Sequence, residues 1–156
     1  MILYHGSYLA IEVPDIIHSR NNVDFGKGFY TTPIYDQAKS WCGKFLRRNR
    51  DGIISRYRFD ESGCGSLKIL RFDTYSEEWL DFILSCRSGQ DTSDYDIVSG
   101  GVANDRVFKT VELYYEQLID KAEAIKRLRY EKPNLQIAFR SEAALSCLHY
   151  EGSEKL

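Results

Sequence analysis

At 156 residues, with 43% apolar and 28% charged residues and a net charge of −2, the chain has the size and mixture of one globular domain with a proper core. The slight acidity argues against a dedicated nucleic-acid binder, while leaving room for local patches. No apolar run approaches the ~20 residues of a membrane span, and the opening residues have neither the basic start nor the apolar core of a secretory signal. Cys42, Cys64, Cys86 and Cys147 fall in separate segments without metal-binding spacing. Four reduced, buried thiols in a cytoplasmic protein are therefore expected.

In chain order, Ile2 to His5 reads as a strand, with Gly6-Ser7 opening the turn after it. Pro14 to Ile17 reads as a short helical entry, and Ser19 to Asn22 as a polar loop carrying Arg20. Phe25-Gly26-Lys27-Gly28 is a glycine-rich turn into a short aromatic strand at Phe29 to Thr32, which Pro33 ends. From Ile34 the period becomes helical, with Ala38, Trp41 and Phe45 on one face. The helix closes in a basic tail, and Lys44, Arg47, Arg48, Arg50, Arg56 and Arg58 read as a solvated face near the helix dipole, with a patch for a nucleic-acid or phosphate partner as the alternative.

Ile53 to Asp60 and Leu67 to Phe72 alternate as two strands, expected to form a hairpin across the Glu61–Gly65 turn. Ser76 starts a helix whose apolar face holds Trp79. Tyr95 to Val98 reads as an interior strand, followed by a cap at Asn104-Asp105. Residues 107–120 and 121–129 read as two helices or one broken helix, stopped at Pro133. Leu135 to Phe139 is a late strand, Ser141 to Leu148 a last helix, and His149-Tyr150 an edge strand. The domain is expected to span 1–150, with 151–156 frayed.

Two stretches resemble a known family. Phe25-Gly26-Lys27-Gly28-Phe29-Tyr30, with an aromatic eleven residues after the tyrosine at Trp41, is similar to the nicotinamide-pocket motif of the poly(ADP-ribose) polymerases. Leu3-Tyr4-His5-Gly6-Ser7 is similar to the same family's first active-site strand. The resemblance is close over residues 2–7 and 24–42 and topological elsewhere, and implies a small bacterial branch of the ADP-ribosyltransferase superfamily. It implies an α+β fold of two packed, mostly antiparallel sheets with helices around them and an NAD cleft.

The resemblance also implies NAD as co-substrate and no metal. His5 would hold the adenosine ribose, the Gly6 backbone the nicotinamide amide, and Tyr30 and Trp41 the two faces of the ring. Ser7, Gly26, Lys27 and Gly28 belong to the motifs that line the dinucleotide. Arg20 reads equally as a pyrophosphate ligand and as a solvated loop residue. The family's third catalytic position, often a glutamate at the start of a late strand, falls at Gln136, which carries no charge; Asp105 and Glu112 are the next acidic candidates. Ala38 stands where the family has a serine that bonds the nicotinamide amide.

The implied activity is mono-ADP-ribosyl transfer to a protein or nucleic-acid acceptor. The rivals are an NAD glycohydrolase or RNA 2′-phosphotransferase on the same fold, and a binding module without turnover. By analogy at the level of fold, a toxin with a cognate antitoxin is the expected setting.

Overall fold

The computed structural model describes residues 1–129, 132 and 134–156; the expected break at Pro133 lies outside the described residues. The chain forms an α+β arrangement of two sheets. The first holds β1 (Ile2–Ser7), β3 (Ile53–Phe59) and β7 (Leu148–Lys155) in the order β1-β3-β7, all antiparallel. The second holds β2 (Phe29–Thr31), β6 (Gln136–Phe139), β5 (Ile97–Gly100) and β4 (Ile69–Arg71) in the order β2-β6-β5-β4, with only β4 and β5 parallel. The sheets meet at a bridge between Tyr4 and Thr32, whose amides and carbonyls exchange hydrogen bonds of 2.8 and 2.9 Å.

Side-chain alternation builds the layers. Ile137 and Phe139 of β6 face the first sheet and pack with Leu3, Phe29, Tyr57 and Phe59. Ala138 and Val98 face the other way, onto Phe25, Trp79, Leu80 and Val107. That outer layer is made by α2 (Glu77–Arg87), α3 (Asp105–Tyr115) and α4 (Lys121–Leu128). Trp79 is fully buried and its indole N–H donates to Gly101 O at 3.2 Å, as a core residue should. On the far face of the first sheet, α1 (Tyr35–Leu46) lays Ala38 and Cys42 against Ile54. Side-chain caps start α2, α3 and α4 at Ser76, Asn104 and Asp120. A short α5 (Glu142–Leu145), capped by Ser141, leads into β7.

Several expectations are corrected. Strands β3 and β4 do not form a hairpin, because both edges of β3 are already taken by β1 and β7; a 3-10 turn at Glu61–Cys64, capped by Asp60, sends the chain to the other sheet instead. Residues 151–155 do not fray. They continue β7 along β3, held by Glu151 between Arg56 (3.5 Å) and Arg58 (3.4 Å) and by Lys155 on Asp51 at 2.7 Å. The polar composition of that strand hid its cross-strand pairing. Gly6 and Ser7 belong to β1 rather than to a turn, and Pro14 to Ile17 makes no helix. Cys64 and Cys147 are bonded to each other, with Cα atoms 5.8 Å apart, whereas Cys42 and Cys86 are free and buried. On α1 the buried face is Ala38 and Cys42, and Trp41 and Phe45 lie half-buried on its flank. No helix among the described residues is long and apolar enough to cross a membrane.

Candidate functional site

Strand geometry opens one edge of β1 beside β2. Met1 and Phe59 exchange both backbone hydrogen bonds, so the odd-numbered residues of β1 point their N–H and C=O groups toward β3. Tyr4 points both of its groups the other way, to Thr32. Gly6, two residues on, must do the same. The residue that would pair with it is Tyr30, but Tyr30 O instead accepts from the ring of His5, at 2.7 Å from Nδ1. Among the described residues, no hydrogen bond reaches the N–H or C=O of Gly6 from this side. The strands thus part after Tyr4 and Thr32, leaving an adjacent donor and acceptor suited to a primary amide.

Gly6 must be glycine for a second reason. A Cβ there would lie 2.4 Å from Ala38 O and 3.1 Å from Cys42 Sγ, so α1 packs directly on the bare backbone.

The His5–Tyr30 contact fixes a tautomer. A carbonyl oxygen only accepts, so Nδ1 carries the hydrogen and Nε2 keeps its lone pair in the neutral ring. The imidazole stacks on Phe29, with centroids 4.4 Å apart. Burial holds its pKa below the ordinary 6.5, opposed by the Tyr30 carbonyl and reinforced by the charge of Lys44. At neutral pH the site therefore presents an acceptor nitrogen.

Tyr30 closes the glycine-rich turn on itself. Its hydroxyl donates to Gly26 O at 2.6 Å and accepts from Phe25 N at 2.9 Å, and burial pushes its pKa up. Gly26 takes φ of 74°, where a side chain is strained. The hydroxyl is committed to the turn, and the half-buried ring packs against the cluster around Phe25 and Trp79.

One residue before that turn, Asp24 is buried and gathers four donors. The Arg87 guanidinium binds Oδ1 through Nη2 and through Nε at 3.0 Å, Ala103 N donates to Oδ2 at 2.9 Å, and Gln136 Nε2 donates to Oδ2 at 2.8 Å. Gln136 Nε2 also reaches Gly101 O at 3.3 Å. Gln136 is itself buried, on the same face of the second sheet as Tyr30, through the Tyr30–Ala138 pair. Its amide is therefore committed to anchoring the turn.

The remaining candidates separate into two groups. Burial lowers the Lys44 pKa and the charge of Arg20 adds to it, while the charge of Lys44 acts on His5, so both cations lie toward β1. Trp41 is half-buried one turn before Lys44 and makes no ring contact among the described residues, with Tyr30 or any other aromatic. Ser7 is buried, and Gly28 N donates to Ser19 Oγ at 2.8 Å. Gly26 and Lys27 instead line a polar cavity of about 590 Å³ with Asn21, Asp91 and Arg140. Asp105 sits in the first turn of α3 and Glu112 further along it.

A second cavity, of about 710 Å³, lies elsewhere, between Phe59, Ile69, Phe72, Ile97, Leu135 and Ile137. None of the sequence candidates lines it. Its walls are mostly carbon, and of the two arginines that line it, Arg71 and Arg129, the first is already paired with Glu61. The β1 edge has the more specific chemistry, because it joins unpaired backbone groups to a neutral histidine.

Two contributors escaped the sequence reading. Asp24 precedes the glycine motif with nothing to distinguish it from a loop aspartate, and its burial depends on Arg87 and Gln136, which lie 63 and 112 residues away. Lys44 was visible only as one of many cations in the α1 tail. Among the described residues, no group of three or more His, Cys, Asp or Glu side chains is placed to hold a metal ion. Comparison with curated proteins and with solved structures finds no match to the chain. A family model matches residues 1–150, and the chain belongs to that family, described as "Protein of unknown function (DUF3990)".

Proposed function

We propose that the chain is an NAD-dependent mono-ADP-ribosyltransferase with an ADP-ribosyltransferase fold. The observation that carries this reading is the open β1 edge at Gly6 beside the neutral His5. The amide of nicotinamide is itself one donor and one acceptor, matching Gly6 C=O and N–H. The His5 Nε2 lone pair accepts a hydrogen bond from a ribose hydroxyl, the Tyr30 ring and Trp41 flank the ring of the leaving group, and Arg20 supplies positive charge for the pyrophosphate. The motif similarity of residues 2–7 and 24–42 supports the same assignment.

In the reaction, the bond between the ribose anomeric carbon and the pyridinium nitrogen breaks. Its electron pair stays on nitrogen, so neutral nicotinamide departs. The acceptor's lone pair forms the new bond to the anomeric carbon, and its proton passes to solvent. The chain contributes by orienting the amide and the ribose rather than by proton transfer, since Gln136 carries no charge.

A second reading, an NAD-binding module with little turnover, is favoured by one observation: the Gln136 amide is held by Asp24 and Gly101 O, away from a role at the breaking bond. Incubating the protein with NAD and measuring both calorimetric binding and nicotinamide release separates the two. Binding with release supports the transferase, binding without release supports the module, and no binding removes both. A bacterial toxin role with a cognate antitoxin, in the cytoplasm, is the setting this activity would fit.

A further inference from the structure

The end of α1 carries a second surface that leads away from the candidate site. After Leu46 the chain turns through Arg47 and Arg48 to Asn49, whose φ of 54° folds Arg50 back so that its N–H reaches Phe45 O at 3.0 Å. Arg50 then lies over the ring of Tyr8, 5.0 Å from its centroid, and Tyr8 lies against Phe45 with centroids 5.5 Å apart. Lys44 lies over the Phe45 ring at 4.8 Å. Arg56 and Arg58 leave the patch for Glu151, and Asp51 is taken by Lys155. Lys44, Arg47, Arg48 and Arg50 are exposed and make no ion pair among the described residues.

The cations crowd one another: burial lowers the Lys44 pKa, and Arg20 and Arg48 lower it further. Like charges held together with aromatic rings between them suit a ligand that brings both phosphates and flat bases.

We propose that the Lys44–Arg50 turn of α1, together with Tyr8, binds single-stranded nucleic acid, with phosphates on the four cations and a base against the Tyr8–Phe45 pair. A duplex hides its base faces, and neither an acidic peptide nor a lipid headgroup offers a flat base to stack on the Tyr8 ring. If the transferase reading also holds, the strip names nucleic acid as the acceptor class; the binding itself is independent of NAD.

The test is fluorescence anisotropy of labelled single-stranded RNA and DNA, about 12 nucleotides long, without NAD. Binding should weaken with salt at a log–log slope of about −3, from four contacts at about 0.7 each. Arg47→Ala/Arg48→Ala/Arg50→Ala should weaken it ~10-fold or more and bring the slope to about −1. The three Arg→Lys changes should largely restore it, and Tyr8→Ala should weaken it at least about fivefold. These side chains are exposed, and unchanged circular dichroism and Tm confirm that the variants fold. Three results would overturn the proposal: no binding at about 50 mM salt, binding indifferent to the triple alanine variant, or tighter binding to duplex, anionic vesicles or an acidic peptide than to single strands. Retained oligonucleotide binding in a protein that ignores NAD would leave the strip standing and the transferase reading refuted.

Discussion

Gln136 Nε2 and Asp24 Oδ2 are 2.8 Å apart inside the fold, joining the start of β6 to the residue that introduces the glycine-rich turn. A polar pair this deep is retained for position, since each group left alone in a low-dielectric interior is costly. It holds the turn that Tyr30 then closes, and so fixes the β2 side of the gap beside Gly6.

Replacing Gln136 by alanine should therefore act first on stability, by about 1–3 kcal/mol in urea denaturation, because Asp24 loses a donor. Gln136→Glu sharpens the test. A carboxylate beside buried Asp24 would have its pKa raised above the unfolded value. Its contribution is present below the unfolded pKa and lost as pH rises through the folded one. The variant should lose stability relative to wild type between about pH 5 and 8. Equal pH profiles would mean that the 136 side chain does not face Asp24.

Tyr30→Phe retains the ring and deletes the hydroxyl that spans Gly26 O and Phe25 N. A loss of about 1–3 kcal/mol is expected, with benzamide or NAD affinity changed less than by Trp41→Ala, which removes a stacking face worth about 1–3 kcal/mol by analogy with bases. The reverse order of affinities would transfer the ring-binding role from Trp41 to the tyrosine hydroxyl.

His5 gives a pH signature. Its pKa is depressed in the fold, so the unfolded chain binds more protons as pH falls below 6.5. The stability it contributes is present above 6.5 and lost as pH falls through the lower folded value. Thermal melts at pH 7 and 5 should differ more for wild type than for His5→Gln. NAD affinity should fall over the same interval as Nε2 becomes protonated. An identical pH dependence in the variant would place the titrating group elsewhere.

Gly6→Ala puts a methyl 2.4 Å from Ala38 O. Shifting α1 to relieve this overlap should cost about 1–3 kcal/mol or more, and the same shift should distort the β1 edge. A variant as stable as wild type would show that α1 does not rest on the bare backbone at Gly6.

The sequence made local features legible and long-range ones obscure. The helix starts at Ser76 and Asn104 and the burial of Trp79 follow from capping and apolar spacing, and the structure has them. The partners of β3 were misread because a short alternating strand carries no information about which edge it uses, so adjacency in sequence was taken for adjacency in space. The persistence of β7 was missed because ion pairs and backbone ladder, not apolar residues, hold Glu151 to Lys155. At the candidate site, His5 was read as a ribose ligand and Tyr30 as a ring face, and the hydrogen bond from the His5 ring to the Tyr30 carbonyl was not foreseen. The gap at Gly6 could not be foreseen, since it depends on Tyr30 O being taken by His5. Gln136 was read for its place on a late strand, whereas its partner Asp24 lies 112 residues away and determines what its amide does.

The most direct test of the β1 edge is an amide chemical-shift titration of the ¹⁵N-labelled protein with benzamide. The account predicts that the Gly6 amide, released from any strand partner, moves downfield and saturates as it takes the benzamide carbonyl, with Tyr30 and Trp41 shifting alongside it. A Gly6 resonance that stays fixed while shifts gather around Phe59, Ile97 and Leu135 would contradict the account and move the binding site to the larger cavity.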